Sequence, residues 1–559
     1  MGDQAGREAA AFGGIFGQDA MEAAHRALER MMADIAGPVL GEDAVAAQSG
    51  LVREVSRLMA GQSELKPEAG DKRFNDPMWK DNPLFQTWMQ GYLLWQKSID
   101  AFATAMGMDE LAIKRNRFFA NLVTDALAPT NTMLGNPAAL KRFVETGGQS
   151  TLDGLQNFLK DMVDNGGMPA QVDKSAFKVG GNLATTKGAV VFRNEMIELI
   201  QYTPTTQEVY ETPVLFVPSM INKFYVLDLA PGRSMFEYAL SQGIQVFAIS
   251  WKNPSSAESG WSIDNYLEQI LNACAATREI SGSSQVHLAA VCAAGMLISS
   301  VAGFLATRGD KQVRSLTTIV TGLDNSVEDT KLSIFTAPDM VEVIAGISQA
   351  QGVLDGRNLS SAFTWMRPND LVWNYWVNNY LMGNPPPAFD ILYWNSDATR
   401  MPARTHREFL DQGLVNAFTK PGAVQVFGTP IDMAQVKCDA YVMGGLTDHI
   451  CPWKNSYSGA KLYGGKTEFV LVGSGHVQSM VNPPGNPKSA YFVNTKLPGV
   501  ADEWLKTAEK KPGSYWEHWA PWISGALRRE AARQGARQRP VPADRRGAGA
   551  ICDGAVADA

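Results

Sequence analysis

Residues 286–295 read Val286-His287-Leu288-Ala289-Ala290-Val291-Cys292-Ala293-Ala294-Gly295, an apolar strand-like run that passes without a spacer into a helix-forming run. A cysteine at such a junction is a candidate nucleophile. A strand-to-helix elbow holds the side chain on a strained turn above a sheet, and the first N–H groups of the helix point at any negative oxygen formed there. Asp448 follows the apolar run 440–443 through Gly444-Gly445-Leu446-Thr447, and His476 follows the run 469–472 through Gly473-Ser474-Gly475. Both fall just past the C-terminal ends of expected strands, the edge at which open α/β sheets bind ligands. In this arrangement His476 takes the thiol proton, while Asp448 fixes its tautomer and favours the imidazolium.

The six histidines are His25, His287, His406, His449, His476 and His518. His287 lies inside a strand, His25 in an N-terminal appendage, and His406 and His518 in helical, polar surroundings. His449 adjoins Asp448, and neighbouring loop side chains usually diverge, so His476 is the preferred base. An oxyanion also needs a second N–H from the loop after an earlier strand. The run 214–217 leads into Pro218-Ser219-Met220-Ile221-Asn222-Lys223, which offers the N–H of Met220 or Ile221 beside that of Ala293; an ordinary strand-end turn is the alternative. Cys451 lacks the matching Cys/His spacing of a metal site, so no metal is expected. Cysteine rather than serine suits a thioester substrate, because the exchange of one thioester for another keeps the acyl group activated for transfer to a hydroxyl or to water.

The elements that must carry these residues follow from pattern. The chain has 559 residues, 45% hydrophobic and 19% charged, with a net charge of −7. That describes a globular protein of about two domains and argues against a nucleic-acid surface. The five cysteines are odd in number and lack a C-x-x-C pair, which fits a reducing cytosol. No signal peptide, myristoylation site or membrane-length apolar run is recognised. Residues 1–72 read as a flexible helical appendage, with Met21, Ala24, Leu28, Met31, Met32 and Ile35 at helical spacing. Residues 73–174 read as a helical domain in which Phe85, Trp88, Met89 and Tyr92 share one face. From 175 to 525, short apolar runs (190–192, 196–202, 214–217, 246–249, 286–291, 316–320, 440–443, 469–472) alternate with helical stretches such as 263–280. That alternation indicates a mainly parallel α/β sheet. An aromatic, Pro-rich insertion at about 324–430 breaks the rhythm and is expected to cap the site. Residues 526–559 read as a disordered tail. The chain order nucleophile, acid, histidine is that of the α/β-hydrolase fold. The expected architecture is therefore an α/β-hydrolase domain with an inserted cap subdomain, preceded by a helical N-terminal domain.

Across about 73–522 the sequence resembles the polyhydroxyalkanoate synthases of the long single-subunit class I and class II type. The resemblance rests on Arg73-Phe74-Asn75-Asp76-Pro77-Met78-Trp79, Asn182-Leu183-Ala184-Thr185-Thr186, Ile221-Asn222-Lys223-Phe224-Tyr225-Val226-Leu227-Asp228-Leu229 and Ser250-Trp251-Lys252-Asn253-Pro254. Further matches are Tyr393-Trp394-Asn395-Ser396-Asp397-Ala398-Thr399, Asp448-His449-Ile450-Cys451-Pro452-Trp453 and Gly475-His476-Val477-Gln478-Ser479-Met480-Val481-Asn482-Pro483-Pro484-Gly485-Asn486-Pro487. It implies an acyltransferase that polymerises (R)-3-hydroxyacyl-CoA into a polyester with release of CoA, in the cytoplasm at the surface of a storage granule, as a homodimer. Acyl-CoA is then a substrate and no cofactor is implied. Cys292 becomes the acylated thiol, His476 the base, and Asp448 its orienter or the activator of the attacking 3-hydroxyl. Trp394 supports the site or a dimer contact, and Asn222 is a supporting residue. The stretches 182–186 and 198–202 lean toward class II and medium-length side chains. One departure is local: the family's Gly-x-Cys-x-Gly-Gly box reads Ala290-Val291-Cys292-Ala293-Ala294-Gly295 here. Two rival readings are a cysteine thioesterase or polyester hydrolase with the same triad, and a granule-associated protein with impaired catalysis.

Overall fold

The computed structural model describes residues 53–105, 110–327, 338–534 and 539–540. They form two compact units. One holds the residues up to Lys174 together with Ser360–Phe389, and the other holds Ser175–Leu359 together with the residues from Asp390 onward. Residues 1–52, which include the helical spacing from Met21 to Ile35, lie outside the described residues.

In the first unit, helices α1 (Pro83–Ala105), α2 (Glu110–Ala126), α3 (Pro137–Glu145) and α4 (Gln149–Asp164) follow the helical periodicity of the sequence. Phe85, Met89, Tyr92 and Leu93 of α1 are buried with Phe74 and Trp79. Trp88, expected on the same face, is 44% exposed. At about 100° per residue it falls roughly 90° from the centre of the buried arc, beyond the apolar stripe. The Arg73 guanidinium donates to Tyr92 Oη (3.1 Å), Asp125 Oδ1 (3.0 Å) and Asn369 Oδ1 (3.1 Å). Asn157 Nδ2 donates to the carbonyls of Asn379 (3.0 Å) and Asn384 (3.1 Å). A Cβ at Gly154 would overlap the Tyr380 carbonyl, so α4 approaches that segment only through glycine. Residues 360–389, read from sequence as part of the cap, thus pack with the N-terminal helices. Their aromatic pattern reports that they are buried but not against which neighbour.

The second unit is built on a ten-stranded sheet. Its strands are β1 (Gly188–Arg193), β2 (Ile197–Tyr202), β3 (Val214–Val217), β4 (Val246–Trp251), β5 (Val286–Val291), β6 (Val313–Ile319), β7 (Asp439–Gly445), β8 (Thr467–Val472), β9 (Ala490–Val493) and β10 (Glu509–Pro512). They lie in the order β1-β2-β4-β3-β5-β6-β7-β8-β9-β10. The six strands from β4 to β8 in that order pair in parallel, and the outer strands pair antiparallel. Every residue of β3 and β5 is buried, which is why they read as unbroken apolar runs rather than alternating ones. Helices α5 (Ile263–Ser281), α6 (Ala293–Thr307), α7 (Asp390–Ser396), α8 (His476–Met480) and α9 (Tyr515–Gln534) belong to this unit. Ser262 and Asn265 close a reciprocal capping box at the start of α5. The core forms two apolar clusters, one centred on Leu215, Leu288 and Ile298 and the other on Phe216, Ala289 and Trp519. Helix α9 runs past residue 526, where the sequence reads as disordered, and Arg539–Pro540 pair with Glu208–Val209. Among the described residues no helix is long and apolar enough to cross a membrane.

Candidate active site at the strand ends

Cys292 joins β5 directly to α6 with φ 53° and ψ −131°, a conformation that residues with a side chain rarely adopt. Neighbouring groups hold it there. The Cys292 N–H donates to Ile319 O (2.8 Å), the Gly295 N–H to Cys292 O (2.9 Å), and Thr321 Oγ1 also to Cys292 O (2.9 Å). Val320, at the end of the adjacent strand, is a β-branched residue at φ 47° whose N–H donates to Met443 O at 2.8 Å. Strain is therefore concentrated at two neighbouring strand ends, where the surrounding hydrogen bonds over-determine it.

The two alanines that replace box glycines are both fully buried in the apolar core, which has room for their methyl groups. Gly295 has no such room: a Cβ there would overlap the Thr321 side chain. Gly295→Ala is therefore expected to destabilise the fold by about 2–3 kcal/mol, the range of an overpacked core, and to disturb the Cys292 carbonyl that Thr321 holds. Ala294→Gly should cost only about 1 kcal/mol of helix propensity. Denaturant unfolding and the rate of Cys292 alkylation compare the two, and equal behaviour would show that Thr321 gives way freely.

Asp448 and His476 leave the ends of β7 and β8. The two loops are tied by the Thr447 N–H to Ser474 O (3.2 Å). A Cβ at Gly445 would stand 2.8 Å from both Ser474 O and Ser479 Oγ, so this approach requires glycine. Asp448 Oδ2 receives His476 Nδ1 at 2.6 Å, and its Oδ1 receives the N–H groups of Ile450 and Cys451, both at 2.9 Å. Both carboxylate oxygens thus accept hydrogen bonds, and the imidazole they hold is that of His476. The Cys292 sulfur lies close enough to the His476 ring to favour its charged form. Burial alone would drive the imidazolium to lose its proton, but the Asp448 carboxylate and the Cys292 sulfur oppose it and carry the pKa up to about 10. Asp448 and His476 are hydrogen-bonded to each other and the Cys292 sulfur acts on the ring electrostatically, with His476 buried and Cys292 half-buried.

The other described histidines have structural partners. His287 meets Ser315 Oγ at 2.6 Å inside the sheet, and burial lowers its pKa to about 3. His406 is not in the polar surroundings expected from its helix. It is buried against Ser348 Oγ (2.9 Å), with its pKa lowered to about 4. His518 lies against the Tyr441 and Tyr491 rings and pairs with Glu468 at 3.2 Å. Burial, reinforced by Asp448, pushes the Cys451 thiol well above its ordinary range and leaves it a poor ligand or nucleophile. Among the described residues no group of three or more His, Cys, Asp or Glu could hold a metal ion.

Ala293 opens α6, where its N–H is free of the helix ladder. Met220 and Ile221 lie in the buried turn after β3. Trp394 of α7 is buried and donates Nε1–H to Lys223 O at 2.8 Å, so it braces this turn rather than presenting an outer face. Asn222 pairs through its backbone with Ala398. Thr321 and Thr399, which hold the elbow and this turn, were not singled out by sequence. Thr399 ends a motif whose tryptophan drew the attention, and neither threonine sits at a spacing that announces a role.

Residues 70–239 match the family described as Poly-beta-hydroxybutyrate polymerase (PhaC) N-terminus, and residues 212–483 match the alpha/beta hydrolase fold. The chain is 46% identical over 487 residues to Poly(3-hydroxyalkanoate) polymerase 1 of Ectopseudomonas oleovorans, covering 87% of each chain. It is 45% identical over 475 residues to Poly(3-hydroxyalkanoate) polymerase 2 of the same organism, covering 84% of each. With the Poly(3-hydroxyalkanoate) polymerase subunit PhaC of Cupriavidus necator it shares 36% identity over 490 residues, 86% of this chain and 82% of that one. The second unit has the α/β-hydrolase fold, and the chain belongs to the poly(3-hydroxyalkanoate) polymerase family.

Proposed function

We propose that this chain polymerises (R)-3-hydroxyacyl-CoA by covalent thioester catalysis on Cys292. The observation that carries the reading is the hydrogen-bonded pair His476–Asp448, whose ring charge is favoured by the Cys292 sulfur on a strained elbow. The sulfur attacks the thioester carbonyl, a C–S bond forms, and the oxyanion is held by the N–H of Ala293 with that of Met220 or Ile221. The bond to CoA then breaks, and the departing thiolate takes its proton from the His476 imidazolium. In the second half His476 accepts the proton of an incoming 3-hydroxyl, the new ester bond forms, and the Cys292 thiolate leaves. Asp448 keeps the imidazole in the tautomer both halves require. Trp394 and Asn222 act as supports. No cofactor enters this scheme. We place the enzyme in the cytoplasm at the surface of the polyester it makes, as a homodimer that accepts medium-length side chains.

The test is to supply purified protein with 3-hydroxybutyryl-CoA and 3-hydroxyoctanoyl-CoA and to follow CoA release and product. Insoluble polyester is the expected product, with faster release from the octanoyl substrate. Free hydroxy acid would instead identify a thioesterase. No release at any chain length, with Cys292 still alkylated normally, would overturn the polymerase reading and favour a non-catalytic granule protein.

A further inference from the structure

The turn after β3 is fixed through its carbonyl groups, and the strand-like segment after α7 fixes several of them. Trp251 Nε1 donates to Pro218 O (2.8 Å), the Asn222 N–H to Ser219 O (3.3 Å), and Trp394 Nε1 to Lys223 O (2.8 Å). Thr399 holds two of the three positions between. Its Oγ1 donates to Met220 O at 2.7 Å, and its own N–H donates to Ile221 O at 3.2 Å. Thr399 is 2% exposed, so water cannot readily replace that hydroxyl.

A trans peptide is planar, with its C=O and N–H pointing in opposite directions. Holding Met220 O therefore also sets the direction of the Ile221 N–H, which belongs to the same peptide plane. Among the described residues the Ile221 N–H donates no backbone hydrogen bond. From this geometry we infer that Thr399 is a positioning residue whose hydroxyl aims the Ile221 N–H as the second oxyanion donor. The inference rests on the acyl-transfer reading above and narrows its choice between Met220 and Ile221. The peptide plane carrying the Met220 N–H is held instead by the local turn bond to Ser219 O, so loss of the Thr399 hydroxyl acts selectively on Ile221. The remaining contacts of the segment, Tyr225 Oη to Asp397 Oδ2 (2.7 Å) and the Arg400 N–H to Asn253 Oδ1 (3.0 Å), fasten Thr399 on either side.

The test compares wild type with Thr399→Val, which keeps shape and loses the hydroxyl, and Thr399→Ser, which keeps the hydroxyl. Single-turnover acylation by the 4-nitrothiophenyl ester of 3-hydroxyoctanoate reads the step that needs an oxyanion hole. Alkylation by iodoacetamide reads the nucleophile in a displacement that forms no oxyanion. Removing an oxyanion donor costs about 10²–10³-fold, so a misaimed donor in Thr399→Val should slow acylation by roughly 10–100-fold. Substrate KM and the alkylation rate should be unchanged, and Thr399→Ser should stay within about threefold of wild type. Thr399→Ala provides the same comparison if the valine variant does not fold. Acylation by the hydroxyl-free variant at the wild-type rate, or acylation and alkylation falling together, overturns the assignment while leaving the acyl-transfer reading intact. Failure of wild type itself to release the thiophenol, with alkylation normal, overturns both.

Discussion

Cys292→Ser is expected to reduce CoA release from 3-hydroxyacyl-CoA by at least about 10³-fold, a loss in the range seen when an active nucleophile is disabled. It should also limit what remains to one equivalent of CoA per chain, with no polymer. Two effects combine. The Cys292 sulfur is one of the groups that favour the His476 imidazolium, and a serine hydroxyl is a weaker nucleophile than a thiol. An acyl group that does reach the serine is held as an oxygen ester. Its transfer to another hydroxyl gains nothing, whereas transfer from a thioester is downhill. The acyl-enzyme should therefore accumulate, as a mass increase of one hydroxyacyl group on the residue-292 peptide. The strained elbow does not change, because the φ of 53° is held by the bonds to Ile319 and Thr321 rather than by the side chain of residue 292. Sustained turnover by the serine variant would contradict the argument that thioester exchange is the reason for cysteine here.

The parts of this site that sequence discloses are those where local pattern and chemistry coincide. Residues 286–295 announce a buried strand running into a helix, because both elements are apolar and no turn residue separates them. Asp448 and His476 follow strand-like runs through glycines, and one of those glycines, Gly445, is where the two loops touch. The expected eight runs all became strands of the one sheet, with ends that moved by a few residues. The outermost strands Ala490–Val493 and Glu509–Pro512 were not expected. Glu509–Pro512 is an edge strand whose lysines, glutamate and proline hide the alternation that marks a strand, and Ala490–Val493 is only four residues long. The allegiance of residues 360–389 was also hidden, since periodicity shows that a helix buries a face but not what covers it. Threonines 321 and 399 act through single hydroxyl–carbonyl bonds between segments far apart in the chain, and nothing in local sequence encodes such a bond. The alanines at 290 and 294 are the local departure from the family's glycine box, and both are buried in the core. The structure places the tight contact one residue later, at Gly295.

Asp448→Asn is expected to lower the rate of acyl transfer by about 10²–10⁴-fold, as when the orienting carboxylate of a catalytic histidine is neutralised. The variant should also leave a mark on stability that a loss of orientation alone would not. In the wild type the pKa of His476 lies near 10 against an ordinary 6.5. A folded-state pKa raised in this way contributes stability that is complete below about pH 6.5 and is lost as pH rises toward 10. In the variant, burial, which is the largest influence and favours the neutral ring, is opposed only by Cys292. The shift then falls and, if burial prevails, reverses sign, so that stability is lost as pH drops through 6.5. The gap in unfolding free energy between wild type and Asp448→Asn should therefore be widest at and below pH 6.5 and narrow as pH approaches 10, as read by urea unfolding across that range. Asparagine can still accept the N–H groups of Ile450 and Cys451 that reach Oδ1, so the loop survives while the charge and the acceptor for His476 Nδ1–H are removed together. A gap that stays constant with pH would show that Asp448 acts on His476 through geometry rather than through its charge.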